Sequence, residues 1–72
     1  MNNPVIYRKP HGKTFNYRYA NGKTVKNAAL KRWIKSLAIP PAWREVEIQQ
    51  DRDAKVLVTG RDKEDRKQYI YN

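Results

Sequence analysis

Few residues in this 72-residue chain are of a type that does covalent chemistry. His11 is the only histidine, Ser36 the only serine, and cysteine is absent. General acid–base catalysis needs a histidine or a carboxylate with a shifted pKa, held in a cleft. His11 falls in a Pro-His-Gly turn, and Ser36 lies among lysines in a helical stretch. The carboxylates crowd beside Lys and Arg, which reads as solvated pairs. Gly12, Gly22 and Gly60 are isolated, so no phosphate-cradling loop is expected. Without cysteine there is no disulfide and no thiolate zinc site, and one histidine excludes a histidine-rich metal site. No active site contained within this chain is expected.

The residues suited to binding are more numerous. Sixteen Lys and Arg face seven Asp and Glu, a formal net charge of +9. Ten of the basic residues and none of the acidic ones fall in residues 1–44. Such one-sided charge is the electrostatic footprint of a polyanion. Lysines that served solubility alone would be interspersed with acids. Tyr7, Tyr17, Tyr19, Tyr69 and Tyr71 lie next to Arg8, Arg18, Arg61, Arg66 and Lys67. Cations neutralise phosphates and rings pack on sugars or bases, so this interleaving suits nucleic acid. No apolar run approaches the roughly 20 residues a membrane span needs. The first residues do not read as a signal peptide. No membrane partner is expected, and the expected compartment is intracellular.

The elements that must position these groups follow from periodicity. Val5–Arg8 reads as a strand, residues 9–13 as a turn, and Thr14–Tyr19 as a half-buried strand with Phe15, Tyr17 and Tyr19 on one face. The two make a hairpin, and Asn21-Gly22 ends it with a turn dipeptide. Leu30, Trp33, Ile34 and Leu37 form one apolar stripe of a helix capped by Asn27. Pro40-Pro41 stops that helix by Ile39, and Pro41 begins a single helical turn through Trp43-Arg44. Val46 and Ile48, Lys55–Thr59 and Arg66–Tyr71 then read as an antiparallel meander. The expected fold is α+β: an antiparallel sheet of about five strands with one main helix and a short helical turn, in a single domain over residues 1–72. Phe15, Trp33, Trp43, Tyr17 and Tyr19 are assigned to the core. With Ile70 inward, Tyr69 and Tyr71 face outward with Lys67.

The stretch Leu37-Ala38-Ile39-Pro40-Pro41-Ala42-Trp43, followed by Val46 and Ile48, by Thr59-Gly60-Arg61-Asp62 and by Arg66-Lys67-Gln68-Tyr69-Ile70-Tyr71, resembles the N-terminal domain of type IB DNA topoisomerases of the bacterial and poxvirus kind. The resemblance covers nearly the whole chain. It implies a two-domain clamp around duplex DNA that relaxes supercoils through a transient 3′-phosphotyrosyl nick, with no cofactor. The nucleophilic tyrosine would belong to a C-terminal catalytic domain and maps onto nothing here. The resemblance implies DNA contacts in the major groove by Gln68, Tyr69 and Tyr71. Lys67, Arg66 and Arg61 are the expected phosphate-binding neighbours. The expected partners are duplex DNA and the catalytic domain, the expected state is a monomer, and the expected location is the bacterial cytoplasm, with the nucleoid, or a virus.

Three features complicate this picture. Asp65 stands where such sequences often place Gly, and Asp53-Ala54-Lys55 replaces a more usual Gly-containing turn. Gln68 and Tyr69 point to opposite faces of a regular strand, so both reach DNA only at a sheet edge or through a distortion. Two other readings stay open: a free-standing basic nucleic-acid-binding module, and a domain whose basic face docks on its own catalytic partner.

Overall fold

The structure, a computed structural model, describes residues 5–72. The expected domain's residues 1–4, and with them the reading of the chain's start, lie outside the described residues. Strand-forming residues make β1 (Val5–His11), whose burial alternates over Val5–Arg8, and the half-buried β2 (Thr14–Tyr19), joined by a tight turn at Gly12-Lys13. Gly12 has φ of 59°, the left-handed angle such a turn needs. Helix α1 (Ala28–Ser36) follows, then β3 (Arg44–Gln49), β4 (Val56–Arg61) and β5 (Lys67–Tyr71).

The strands form one sheet in the order β2-β1-β3-β4-β5, and every neighbouring pair is antiparallel. The hairpin and the meander both form, but β1 runs on through Lys9, Pro10 and His11, which were expected in the turn, because they pair with Asn16, Phe15 and Thr14; β5 is an edge strand. Asn27 caps α1 by accepting the Leu30 N–H at 3.0 Å, and Leu37 closes it ahead of the two prolines.

The α+β expectation is overturned. The fold is mostly β: a single nine-residue helix lies against five strands of five to seven residues. The expected helical turn from Pro41 is a simple turn, in which the Trp43 N–H donates to the Pro40 carbonyl at 3.2 Å. Asn27 and Pro40 bracket a short helix, and no other segment carries a 3.6-residue period.

The core is Ile6, Val25, Ile34, Val46, Ile48, Leu57 and Val58. Ile48 on the central strand β3 is opposed to Ile6 on one side and to Val58 on the other, and Ile34 brings α1 onto that face. Trp33, Trp43, Tyr17 and Tyr19 pack around this cluster, as expected. Phe15 does not: it lies under the Arg8 guanidinium, 4.1 Å from the ring centroid. Two irregularities shape the sheet. One between Val56 and Val58 lets the adjacent Leu57 and Val58 both be buried, which strict alternation forbids. The other, between Arg44 and Glu47, holds Glu45 at φ 53°.

The two departures in the turns resolve differently. Asp65 takes φ 64°, so the position is left-handed and the Gly geometry is kept with a side chain present. Asp is among the few non-Gly residues that tolerate this angle. The turn at Asp51–Ala54 needs no glycine. Asp51 accepts the Asp53 N–H at 2.9 Å through its side chain and the Ala54 N–H at 3.1 Å through its carbonyl.

Candidate nucleic-acid interface

Residues directly opposed across a sheet share a face. Arg18, Tyr7, Glu47, Thr59 and Tyr69 are opposed in turn, so one row crosses all five strands on the face away from α1. Tyr71 lies on the same side of β5 as Tyr69 and stacks on it, with ring centroids 5.9 Å apart. Among the described residues these are the exposed large hydrophobic ones, Tyr69 at 45% and Tyr71 at 66%. Lys67 shares their face and is opposed to Arg61. Ile70, half-buried, packs toward the core, as the outward reading of the two rings requires.

The six candidate residues fall into two groups. Lys67, Tyr69 and Tyr71 are exposed, and among the described residues Lys67 joins no ion pair. Arg61, Arg66 and Gln68 are engaged within the domain. Arg61 pairs with Glu45 at 3.6 Å and donates to the Asp65 carbonyl at 3.0 Å. Arg66 pairs with Asp62 at 3.0 Å and Glu64 at 3.4 Å. Gln68 Nε2 donates to Asp62 Oδ2 at 2.9 Å. Gln68 and Tyr69 do face opposite ways: Gln68 is half-buried on the core side with Ile70, Tyr69 is exposed, and β5 has no strand beyond it.

The basic N-terminal half is divided by the sheet. Arg18 and Lys9 lie on the Tyr69 face, Lys9 being opposed to Asn16. Lys31, Arg32 and Lys35 instead line a groove of about 520 Å³ with Phe15 and Tyr17, on the α1 side. Arg8 belongs to neither surface. It is 8% exposed, and its guanidinium donates to the carbonyls of Ile39 at 3.4 Å, Pro40 at 3.0 Å and Trp43 at 2.9 Å. Burial pushes its pKa below the ordinary arginine value.

A family model described as the N-terminal domain of bacterial DNA topoisomerase IB matches residues 14–62. The chain belongs to this family. The DNA topoisomerase 1B of Acanthamoeba polyphaga mimivirus is 40% identical over 68 residues, covering 93% of this chain. The chain spans 20% of that protein's length. No solved structure matches it significantly.

The structure explains why this topoisomerase domain carries its motifs together. Trp43, of the Ile-Pro-Pro-Ala-Trp run, packs on Gly60 of the Gly-Arg-Asp run. A Cβ at Gly60 would lie 2.9 Å from Trp43 Cε3 and 3.4 Å from Val46 Cγ2. Glycine is needed there for space. Gly60→Ala is expected to lower stability by about 1–3 kcal/mol, because a half-buried indole must shift. Urea denaturation followed by tryptophan fluorescence measures it, and an unchanged midpoint would contradict the close packing.

Asp62 ties the second run to the third. Its Oδ1 accepts the backbone N–H of Glu64 at 2.9 Å and of Arg66 at 3.0 Å. Its Oδ2 accepts Arg66 Nε at 3.0 Å as well as Gln68 Nε2. The Arg66 backbone N–H, aided by Gln68, Glu64 and the Arg66 side chain, holds the Asp62 pKa at about 2. Sequence reasoning quoted Asp62 and Gly60 as motif residues without giving either a role, and it missed the fixed position of Arg8. An Asp heading a polar connection was a visible signal for the first, since Asx turns begin that way.

Proposed function

We propose that this chain is the DNA-binding half of a type IB topoisomerase clamp, laying the β5 edge against duplex DNA. The observation that carries the reading is the stacked, exposed Tyr69–Tyr71 pair beside Lys67 on an edge strand of a strongly basic domain. Exposed aromatics flanked by a cation on an edge are costly to leave in water unless something covers them. In a topoisomerase domain the partner is duplex DNA. Lys67, Arg66 and Arg61 meet phosphates and set the register, while Gln68, Tyr69 and Tyr71 enter the major groove. Arg18 and Lys9 extend the cationic field over the same face.

The chemistry belongs to a separate catalytic domain of the same protein. There a tyrosine attacks a backbone phosphate, the nicked duplex swivels, and the strand is resealed. In this reading the chain itself supplies neither a catalytic residue nor a cofactor. It acts as a monomer closed over DNA by its covalent partner, on bacterial or viral genomes.

Titration of a labelled short duplex into the chain at two salt concentrations tests this. Binding is expected to be weak, since half a clamp lacks the effective concentration that linkage supplies. It is expected to weaken steeply with salt, with a slope of about −0.9 per phosphate neutralised. Affinity independent of salt would defeat the proposal and favour docking on a protein partner.

A further inference from the structure

One N–H of the Gln68 amide is already engaged. Its Nε2 lies 2.9 Å from Asp62 Oδ2, on a carboxylate whose side chain is only 16% exposed. The same carboxylate is fixed by the backbone N–H groups of Glu64 and Arg66 and by Arg66 Nε. An ionised carboxylate accepts and cannot donate. A glutamine amide can lie either way round, but turning Oε1 toward Asp62 would set acceptor against acceptor. Gln68 therefore keeps its nitrogen on Asp62 and its Oε1 turned away from it. Gln68 is opposed to Gly60, which adds no side chain beside it, and no strand covers its other side.

We propose that Asp62 is a positioning residue that sets which base edge Gln68 reads. With one N–H held on Asp62 and Oε1 turned outward, Gln68 presents Oε1 as its acceptor and favours a base offering a major-groove amine, adenine N6 or cytosine N4. This rests on the reading of β5 as the DNA-contacting strand, and it refines what that strand recognises. An unrestrained glutamine would present either atom and discriminate less.

Asp62→Asn is the informative change. The retained oxygen still accepts the two turn N–H groups, while the introduced amide nitrogen replaces Oδ2 and so releases Arg66 Nε as well as facing Gln68. Gln68 must then turn over, give its oxygen to that nitrogen, and present its own nitrogen outward. The preference should invert, toward the acceptors of guanine or thymine. A role confined to holding the turn would weaken binding without inverting anything.

The experiment uses the full 72-residue chain at low salt. Short duplexes are varied one base pair at a time, and each adenine or cytosine is also replaced by its deaminated counterpart, hypoxanthine or uracil, with the opposing base changed to cytosine or adenine so that pairing is kept. That replacement turns a major-groove donor into an acceptor. The wild-type chain is expected to show one position where the amine-bearing base binds roughly 5- to 10-fold tighter, as suits one well-placed hydrogen bond. Asp62→Asn is expected to reverse that order at the same position, and Gln68→Ala to abolish it. If Gln68→Ala keeps the full wild-type pattern, the reading of Gln68 as a DNA contact fails. If Gln68→Ala abolishes the pattern but a folded Asp62→Asn keeps it, only the role of Asp62 fails. Should Asp62→Asn not fold, the wild-type arm decides: a Gln68-dependent preference for the deaminated base would overturn the proposal, and one for the amine would support it.

Discussion

Arg8→Ala is expected to destabilise the domain by about 2–4 kcal/mol, lowering its melting temperature by roughly 10–25 °C. The reason is the pairing of a buried cation with backbone rather than with a carboxylate. Arg8 projects from β1 on the same face as Ile6, and it is 8% exposed. Its fork reaches three carbonyls from residues 39–43 and covers the Phe15 ring. Removing it leaves those carbonyls short of a donor and opens the wall of a cleft lined by Phe15, Pro41 and Trp43. Leaving buried polar groups unpaired costs more than the net value of the bonds themselves.

Two companions separate the contributions. Arg8→Met keeps most of the stem's packing and loses only the donors. Arg8→Lys keeps the charge, but a single ammonium cannot reproduce a planar fork across separate carbonyls. Both are expected to melt between the wild-type chain and Arg8→Ala. Thermal unfolding by circular dichroism checks all three. A melting temperature for Arg8→Ala within about 3 °C of wild type would mean that the loop over residues 39–43 holds itself, and that Arg8 only fills space.

Arg8 also marks the limit of what could be read from residues in order. Charged side chains are seldom fully buried, so a cation on a strand beside tyrosines reads as part of a binding surface. What buries it is the return of residues 39–43 over the end of β1, a contact more than thirty positions away in sequence. Phe15 was misplaced for the same reason: its period matched the core, but its neighbour is Arg8. By contrast, Asn27 and the stripe through Ile34 could be read locally, since capping and helical period depend on adjacent residues. The outward facing of Tyr69 and Tyr71 followed from alternation with Ile70. The overestimate of helix came from crediting Pro41 with starting a turn of helix where one hydrogen bond closes a simple turn. The bonds that occupy Arg61, Arg66 and Gln68 were hidden because spacing alone does not say which carboxylate a side chain meets.

That division of the candidate site determines what its substitutions should do. Gln68→Ala, Tyr69→Ala and Tyr71→Ala combined are expected to weaken duplex binding by at least about 100-fold, taking roughly 1–3 kcal/mol for each good aromatic or base-edge contact. Stability should change little, within about 0.5 kcal/mol for each exposed ring, because Tyr69 and Tyr71 add almost nothing to the core. Loss of the fold in Tyr71→Ala would mean that its ring supports the sheet edge. Lys67→Ala provides the contrast. Among the described residues it joins no ion pair, so its charge is available to a phosphate. Its removal should weaken binding to all sequences alike and reduce the salt slope by about 1. The triple variant should leave the slope nearly unchanged while losing affinity, since uncharged groups release no counterions. Measured together by fluorescence anisotropy over a salt series, the two variants separate contacts to bases from contacts to phosphates. If the triple variant binds as the wild type does, the interface lies elsewhere, and the cationic groove of Lys31, Arg32 and Lys35 on the opposite face becomes the surface to test.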